Sequence, residues 1–163
     1  MVSMSYETAL ICLNGHVITI GLESSPEKYA KHCVRCGERT ISECPNCHSK
    51  IRGYYRSEVV VVATHYTVPL FCHDCGKPYP WTETKLNAVH KLIDENRKLK
   101  SSEKEDLKKS IEALVKESPT KDLAIDVSKR LIPKMGNESV EILKAILIEL
   151  LSEAVKRKLF QTL

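Results

Sequence analysis

Four pairs of metal-binding side chains stand out: Cys12-x3-His16, Cys33-x2-Cys36, Cys44-x2-Cys47 and Cys72-x2-Cys75. Together they use all seven cysteines of the chain. A two-residue spacer lets both sulfurs of a turn face one ion while backbone amides point at the thiolates. Gly37 and Gly76 follow two of these turns, where a positive φ is easily tolerated only by glycine. Eight ligands satisfy two tetrahedral ions, and one histidine completes a set that seven sulfurs leave short. The expected cofactor is therefore zinc, two ions, held by Cys12, His16, Cys33, Cys36, Cys44, Cys47, Cys72 and Cys75. Iron in a four-thiolate site obeys the same geometry. Buried free thiols or a disulfide framework do not account for three identical spacings in so short a stretch. Cys44-x-x-Cys47-His48 also matches a haem-attachment run, but that chemistry belongs to exported proteins, and the neighbouring turns explain the cysteines without it.

Only seven residues separate Cys36 from Cys44. A short hairpin through Thr40-Ile41 is therefore expected to place Cys33/Cys36 and Cys44/Cys47 on one ion, in a nested arrangement. Cys12/His16 and Cys72/Cys75 would then hold the other. A crossed arrangement joining Cys12/His16 to Cys44/Cys47 ranks second, and sequential pairing third. Four protein ligands per ion leave no position for water, which favours structural over catalytic zinc. An enzyme with one open zinc site is the alternative. It would arise if one of the histidines beside the turns (His32, His48 or His73) displaced a cysteine. Elsewhere the chain has no G-x-S-x-G, no phosphate-binding G-x-x-x-x-G-K-[ST], no G-x-G-x-x-G and no H-E-x-x-H run.

The elements that must position these ligands are short. Residues 1–81 are punctuated by Asn14-Gly15, Cys36-Gly37, Pro45-Asn46, Arg52-Gly53, Cys75-Gly76, Pro78 and Pro80. Between them lie β-prone runs, His16–Ile20 and, most clearly, Glu58–Thr64. Helical periodicity begins at Thr82, an expected N-cap, with Leu86, Val89 and Ile93. A capping box at Ser102/Glu105 opens the next helix, which carries Leu107, Ile111, Leu114 and Val115. Ser118-Pro119-Thr120 separates it from a third, striped by Leu123, Val127, Leu131 and Met135. Gly136 stops that helix and Asn137 is expected to cap a last one running from about Glu138 to Phe160. The expected fold class is α+β: a β-rich double zinc-ribbon-like module over 1–81 and a four-helix α bundle over 82–163.

The resemblance carried by the first half is specific. Ser5-Tyr6-x-Thr8-Ala9-x-Ile11-Cys12-x-Asn14-Gly15-His16, Cys33-x-x-Cys36-Gly37, Cys44-Pro45-x-Cys47 and Cys72-His73-x-Cys75-Gly76-Lys77-Pro78-Tyr79-Pro80-Trp81-Thr82 resemble an uncharacterised bacterial domain-of-unknown-function family (DUF2321-like). The resemblance implies a zinc-ribbon first half and bacterial origin. It implies no activity.

Charge limits the partners. The chain of 163 residues carries a formal +4, but seven thiolates and two zinc ions would bring it to about +1 and the first half to about −3. Basicity is thus a poor argument for nucleic acid. Arg52, Tyr54, Tyr55 and Arg56 form a basic-aromatic cluster suited to base stacking or to another partner contact. A protein partner is favoured over weak nucleic-acid binding. The last helix has a broad apolar face from Leu143 to Val155, flanked by Ile142 and Ile148, which suggests a homodimer through that helix. There is no run of 18 apolar residues and no signal-like N-terminus, so a cytoplasmic, non-membrane protein is expected.

Overall fold

The computed structural model describes residues 5–56 and 66–161. The β-branched run Glu58–Thr64 lies outside the described residues. The architecture is α+β, with short antiparallel strands first and helices after them. The chain divides into two compact units, Met1–Glu83 and Thr84–Leu163.

In the first unit β1 (Ser5–Thr8) pairs with β5 (Arg52–Arg56), with Tyr6 opposite Tyr55. A second sheet has the order β3 (Val17–Thr19), β2 (Leu10–Cys12), β4 (Thr40–Ile41). β2 is its central strand and is buried on both faces. The core is small: Ala9, Ile11, Ile51, Tyr79 and Trp81, completed by Cys44 and Cys72. Two cysteines of the paired turns are thus part of the hydrophobic core. Trp81 lies flat on Tyr79, with centroids 4.8 Å apart, and its Nε1–H donates to the Pro69 carbonyl at 2.9 Å. The loop after β3 is tied down by two carboxylates, Glu7 buried and Glu23 exposed. Glu7 accepts from the Ser24 N–H and hydroxyl, and Glu23 accepts from the Thr8 N–H.

The second unit contains most of α1 (Pro80–Glu95), then α2 (Ser101–Val115), α3 (Lys121–Leu131), α4 (Asn137–Leu147) and α5 (Glu153–Phe160). There are five helices among the described residues, not four. The expected terminal helix breaks at Ile148–Ser152. Glu149 and Leu150 reach back only three residues, to Ile146 and Leu147, which tightens and ends the turn. Ser152 then starts α5 in an extended conformation, with Glu153 in its first turn. The break lets α4 bury Val140, Leu143 and Leu147 while α5 buries Val155 and Leu159 on its own axis. Leu150 and Leu151, at the bend, are both buried. Ile142 and Ile148 are about half exposed.

Other helix starts also differ from expectation. α1 begins at Pro80, whose fixed φ and missing N–H suit a first helical position, and Thr82 is fully buried inside the helix. α2 begins at Ser101, and the carboxylate reaching back to its start is Glu103, accepting the Lys100 N–H at 3.0 Å. Gly136, at φ +89°, precedes α4, with Asn137 already helical. In α3 the buried stripe is Ala124, Ile125, Ser128 and Leu131, while Leu123 is 65% exposed. The small Ala124 and Ser128 form the inward seam, so the apolar period sits one position later than Leu123 and Val127 suggest.

Gly53 marks the tightest backbone crossing. A Cβ there would stand 1.9 Å from the Ile20 carbonyl oxygen, which also accepts the Tyr54 N–H. Gly53→Ala should therefore destabilise the first unit by about 3 kcal/mol, at the upper end for overpacking. Chemical denaturation followed by a probe in that unit would show it, and Gly53→Ala with a wild-type midpoint would contradict the crossing.

Candidate metal centres

Three of the four ligand turns are copies of one another. The first cysteine of each donates its N–H to the carbonyl five residues on, at 2.8 Å: Cys33 to Glu38, Cys44 to Ser49, Cys72 to Lys77. Each then accepts, through its own carbonyl, the N–H four residues on, from Gly37, His48 or Gly76. Flanking residues close each turn as isolated antiparallel bridges, His32 with Arg39, Glu43 with Lys50 and Phe71 with Pro78. The fourth residue after the first cysteine has positive φ in all three, at +73°, +62° and +70°. Glycine fills that place twice, whereas His48 accepts a conformation costing an L-residue about 1–2 kcal/mol. The Cys12–His16 pair is built differently, on the hairpin between β2 and β3. There Cys12 N–H donates to the His16 carbonyl, and Gly15 turns the chain at φ +87° against the Trp81 side chain.

The turns meet in two groups, Cys12–His16–Cys33–Cys36 and Cys44–Cys47–Cys72–Cys75, with the ligand atoms of each within 4.8 Å of one another. This is the sequential pairing, and it overturns the nested one. Thr40-Ile41 is not a hairpin joining neighbouring turns. It is β4, paired with β2 so that Cys12 lies opposite Thr40. That pairing, with Leu13 N–H donating to the Arg39 carbonyl, lays Cys12 beside the arm leaving the Cys33–Cys36 turn. The extended chain then carries Cys44 away from Cys36.

The spacing within each group suits a tetrahedral ion. Metal–sulfur bonds of about 2.3 Å require sulfur–sulfur edges of about 3.8 Å, and a nitrogen at about 2.0 Å requires sulfur–nitrogen edges of about 3.5 Å. Cys12–Cys36 and Cys44–Cys75 are 3.8 Å apart and Cys47–Cys72 3.6 Å. His16 presents Nδ1 to Cys12 at 3.5 Å and to Cys33 at 3.7 Å. No pair is near the roughly 2.05 Å of a disulfide, and all seven thiols are free. Each group can hold one metal ion. His32, His48, His73 and His90 lie outside both groups.

Local hydrogen bonds prepare one thiol in the first group and two in the second for ionisation. Burial opposes it at Cys33, but N–H groups of Arg35 and Cys36 and the adjoining ligands bring the thiol down to about 6. Burial likewise opposes it at Cys72, where the N–H groups of Cys75 and Asp74 bring it to about 6. The Ser49 hydroxyl and N–H lower Cys47. Burial raises Cys12. At Cys75 the Lys77 N–H pulls down, but burial and the three facing sulfurs prevail, to about 11. The protein field alone thus favours partial ionisation, and a divalent cation would make all the thiolates stable together.

The basic-aromatic cluster is split. Tyr54 and Arg56 turn to Glu7 and Ser24, Arg56 pairing with the Glu7 carboxylate. Arg52 instead lies over the Tyr6 ring at 4.8 Å, and Tyr6 meets Tyr55 edge-on at 5.0 Å. Only Arg52 and Tyr55 of the four therefore share the exposed aromatic face. Tyr6 joins them through the β1–β5 register, a non-local pairing that cysteine spacing could not reveal.

The family described as an uncharacterized protein conserved in bacteria (DUF2321) matches residues 5–159, and the chain belongs to it. No curated protein and no solved structure matches the chain.

Trp81 is the chain's single tryptophan and is 2% exposed, between Gly15 of the first group and Tyr79 beside the second. Chelation of the metal should shift its emission to the red as the stack opens. Cys33→Ser and Cys72→Ser should each reproduce that shift while far-ultraviolet helix signal persists, because structural zinc contributes roughly 10–16 kcal/mol in small domains. Emission indifferent to chelator and to both substitutions would mean that the core stands without metal.

Proposed function

From membership of this bacterial family as premise, we propose that the chain is a non-enzymatic protein whose first unit is held by two closed structural zinc ions and docks a macromolecular partner, protein in preference to nucleic acid. The observation that carries the reading is the pair of four-donor groups with tetrahedral edge lengths. Zinc suits a mixed thiolate–imidazole set and a four-thiolate set alike, and with four protein donors each centre has no coordination position for substrate. The eight donors act as ligands, and Cys44 and Cys72 link coordination directly to the core. Residues 1–81 would fold as the zinc-binding module and 82–163 as the helical domain.

Charge supports a protein partner. Loaded with zinc, the first centre carries −1 and the second −2. Arg56 is neutralised by Glu7, and Lys50 by Glu23. Within the Arg52–Arg56 cluster this leaves a small aromatic face with one arginine. The exposed Ile142 and Ile148 of the helical unit are the residues through which a homodimer would form.

Zinc-loaded protein should contain two zinc ions per chain, and X-ray absorption should give an average shell of mostly sulfur with a minor nitrogen contribution. One ion per chain, or a shell with an exchangeable oxygen, would favour the open-site enzyme instead. Binding to single-stranded nucleic acid should be weak and vanish as salt rises. Tight binding that survives moderate salt and is lost in Arg52→Ala with Tyr55→Ala would reverse the order of partners.

A further inference from the structure

The two centres are not equivalent outside their ligand atoms. Ser49 sits where Glu38 and Lys77 stand in the other two turns, five residues after the first cysteine. Its carbonyl accepts the Cys44 N–H, which fixes the residue at the edge of the turn. Its hydroxyl lies 3.2 Å from Cys47 Sγ and donates to Asp74 Oδ2 at 2.6 Å. Asp74 belongs to the other turn of the same centre, between Cys72 and Cys75. One hydroxyl therefore touches a ligand sulfur on one turn and a carboxylate on the other. Among the described residues, Cys47 is the ligand sulfur with a serine hydroxyl beside it, and the Tyr79 phenol approaches Cys72 of the same centre. At the first centre the tip residue matching Asp74 is Arg35, and the Glu38 carboxylate is occupied by the Arg39 N–H.

We propose that Ser49 is a positioning residue for the four-cysteine centre: its single hydroxyl proton, which Asp74 accepts in the structure, is shared with the Cys47 thiolate once metal is bound, so that this centre binds metal more tightly than the cysteine–histidine centre. The proposal rests on the reading of both groups as metal centres. Its physics is the usual effect of groups beyond the ligand atoms. They orient the donor and spread its charge, and their loss lowers affinity about 10–100-fold. In the metal-free centre the Cys47 thiol can donate to Ser49, which donates onward to Asp74. Once Cys47 is a ligand thiolate, the Ser49 hydroxyl carries the one proton between two anions. It is held there, screening sulfur from carboxylate.

The test uses the full chain loaded with cadmium and competed with a chelator. Cadmium NMR distinguishes an all-sulfur site from one with a nitrogen ligand. In the wild type the all-sulfur resonance should be the last to disappear. Ser49→Ala should weaken that site about tenfold and leave the other unchanged, and Ser49→Thr, which keeps the hydroxyl, should restore it. In cobalt-loaded protein, Ser49→Ala should also move the thiolate-to-metal absorption to lower energy, since a thiolate losing a hydrogen bond gives up its electron more easily. A purely structural role would not move that band. Equal weakening of both sites, or no change in affinity and band, would overturn the role of Ser49 while leaving two metal centres. A wild-type chain that takes up no metal would overturn the proposal and the reading beneath it together.

Discussion

Four donors on two separate backbone turns come together near the corners of a tetrahedron with edges of about 3.5–3.8 Å, twice over, and the first unit is arranged around that requirement. Its strands are two to five residues long, too short to make a stable sheet alone. Its core is a handful of side chains, two of them cysteines of the second group. A core of that size is small against the chain entropy of some eighty residues, and coordination at the two groups would supply the difference. The aromatic pair shows how the same constraint reaches outward. Trp81 packs on the Gly15 turn of the first group, and Tyr79, stacked on it, is pushed well above its ordinary phenol range by burial and the nearby Cys72 thiol. The second group thus meets the first through one stack of rings.

The three cysteine turns behave as one device used three times. Each offers backbone N–H groups to its sulfurs, closes with a short antiparallel bridge and turns out through a residue of positive φ. Differences between centres come from the positions the device leaves free. The first has an imidazole in place of a fourth sulfur and an arginine at a tip. The second has four sulfurs, with Ser49 and Asp74 beside them. Loaded with zinc, the two groups would carry a net negative charge. Arg56 pairs with Glu7 and Lys50 with Glu23 in the same unit.

What the sequence disclosed was local. Cysteine spacing, turn glycines and the change of periodicity near residue 81 depend on neighbours within a few positions, and they pointed to the ligand turns and the α+β class. What stayed hidden was set at long range. The pairing of β2 with β4 decides which turns share an ion, yet β4 is two residues long and lies in a stretch that reads as a plausible hairpin. The break before Ser152 was legible as an N-cap signal followed by an acidic residue. The continuous apolar face masks it, because Leu150 and Leu151 fit a long helix as well as they fit the bend. In α3 the inward seam is made by alanine and serine, which carry little apolar signal, while the more conspicuous Leu123 faces solvent. Ser49 and Asp74 could not be linked from the sequence at all, being 25 residues apart and joined only when the two turns face each other.

On this reading metal coordination, more than apolar packing, holds the first unit in its fold. Amide hydrogen exchange on the full chain, before and after complete metal removal under reducing conditions, tests it directly. Protection at the turn N–H groups of Cys33, Cys44 and Cys72 and along β2 should collapse together when the metal is withdrawn, while α2 through α5 keep theirs. Metal-free protein that retains native protection at those amides would contradict the account, because its strands and small core would then be sufficient without the ions.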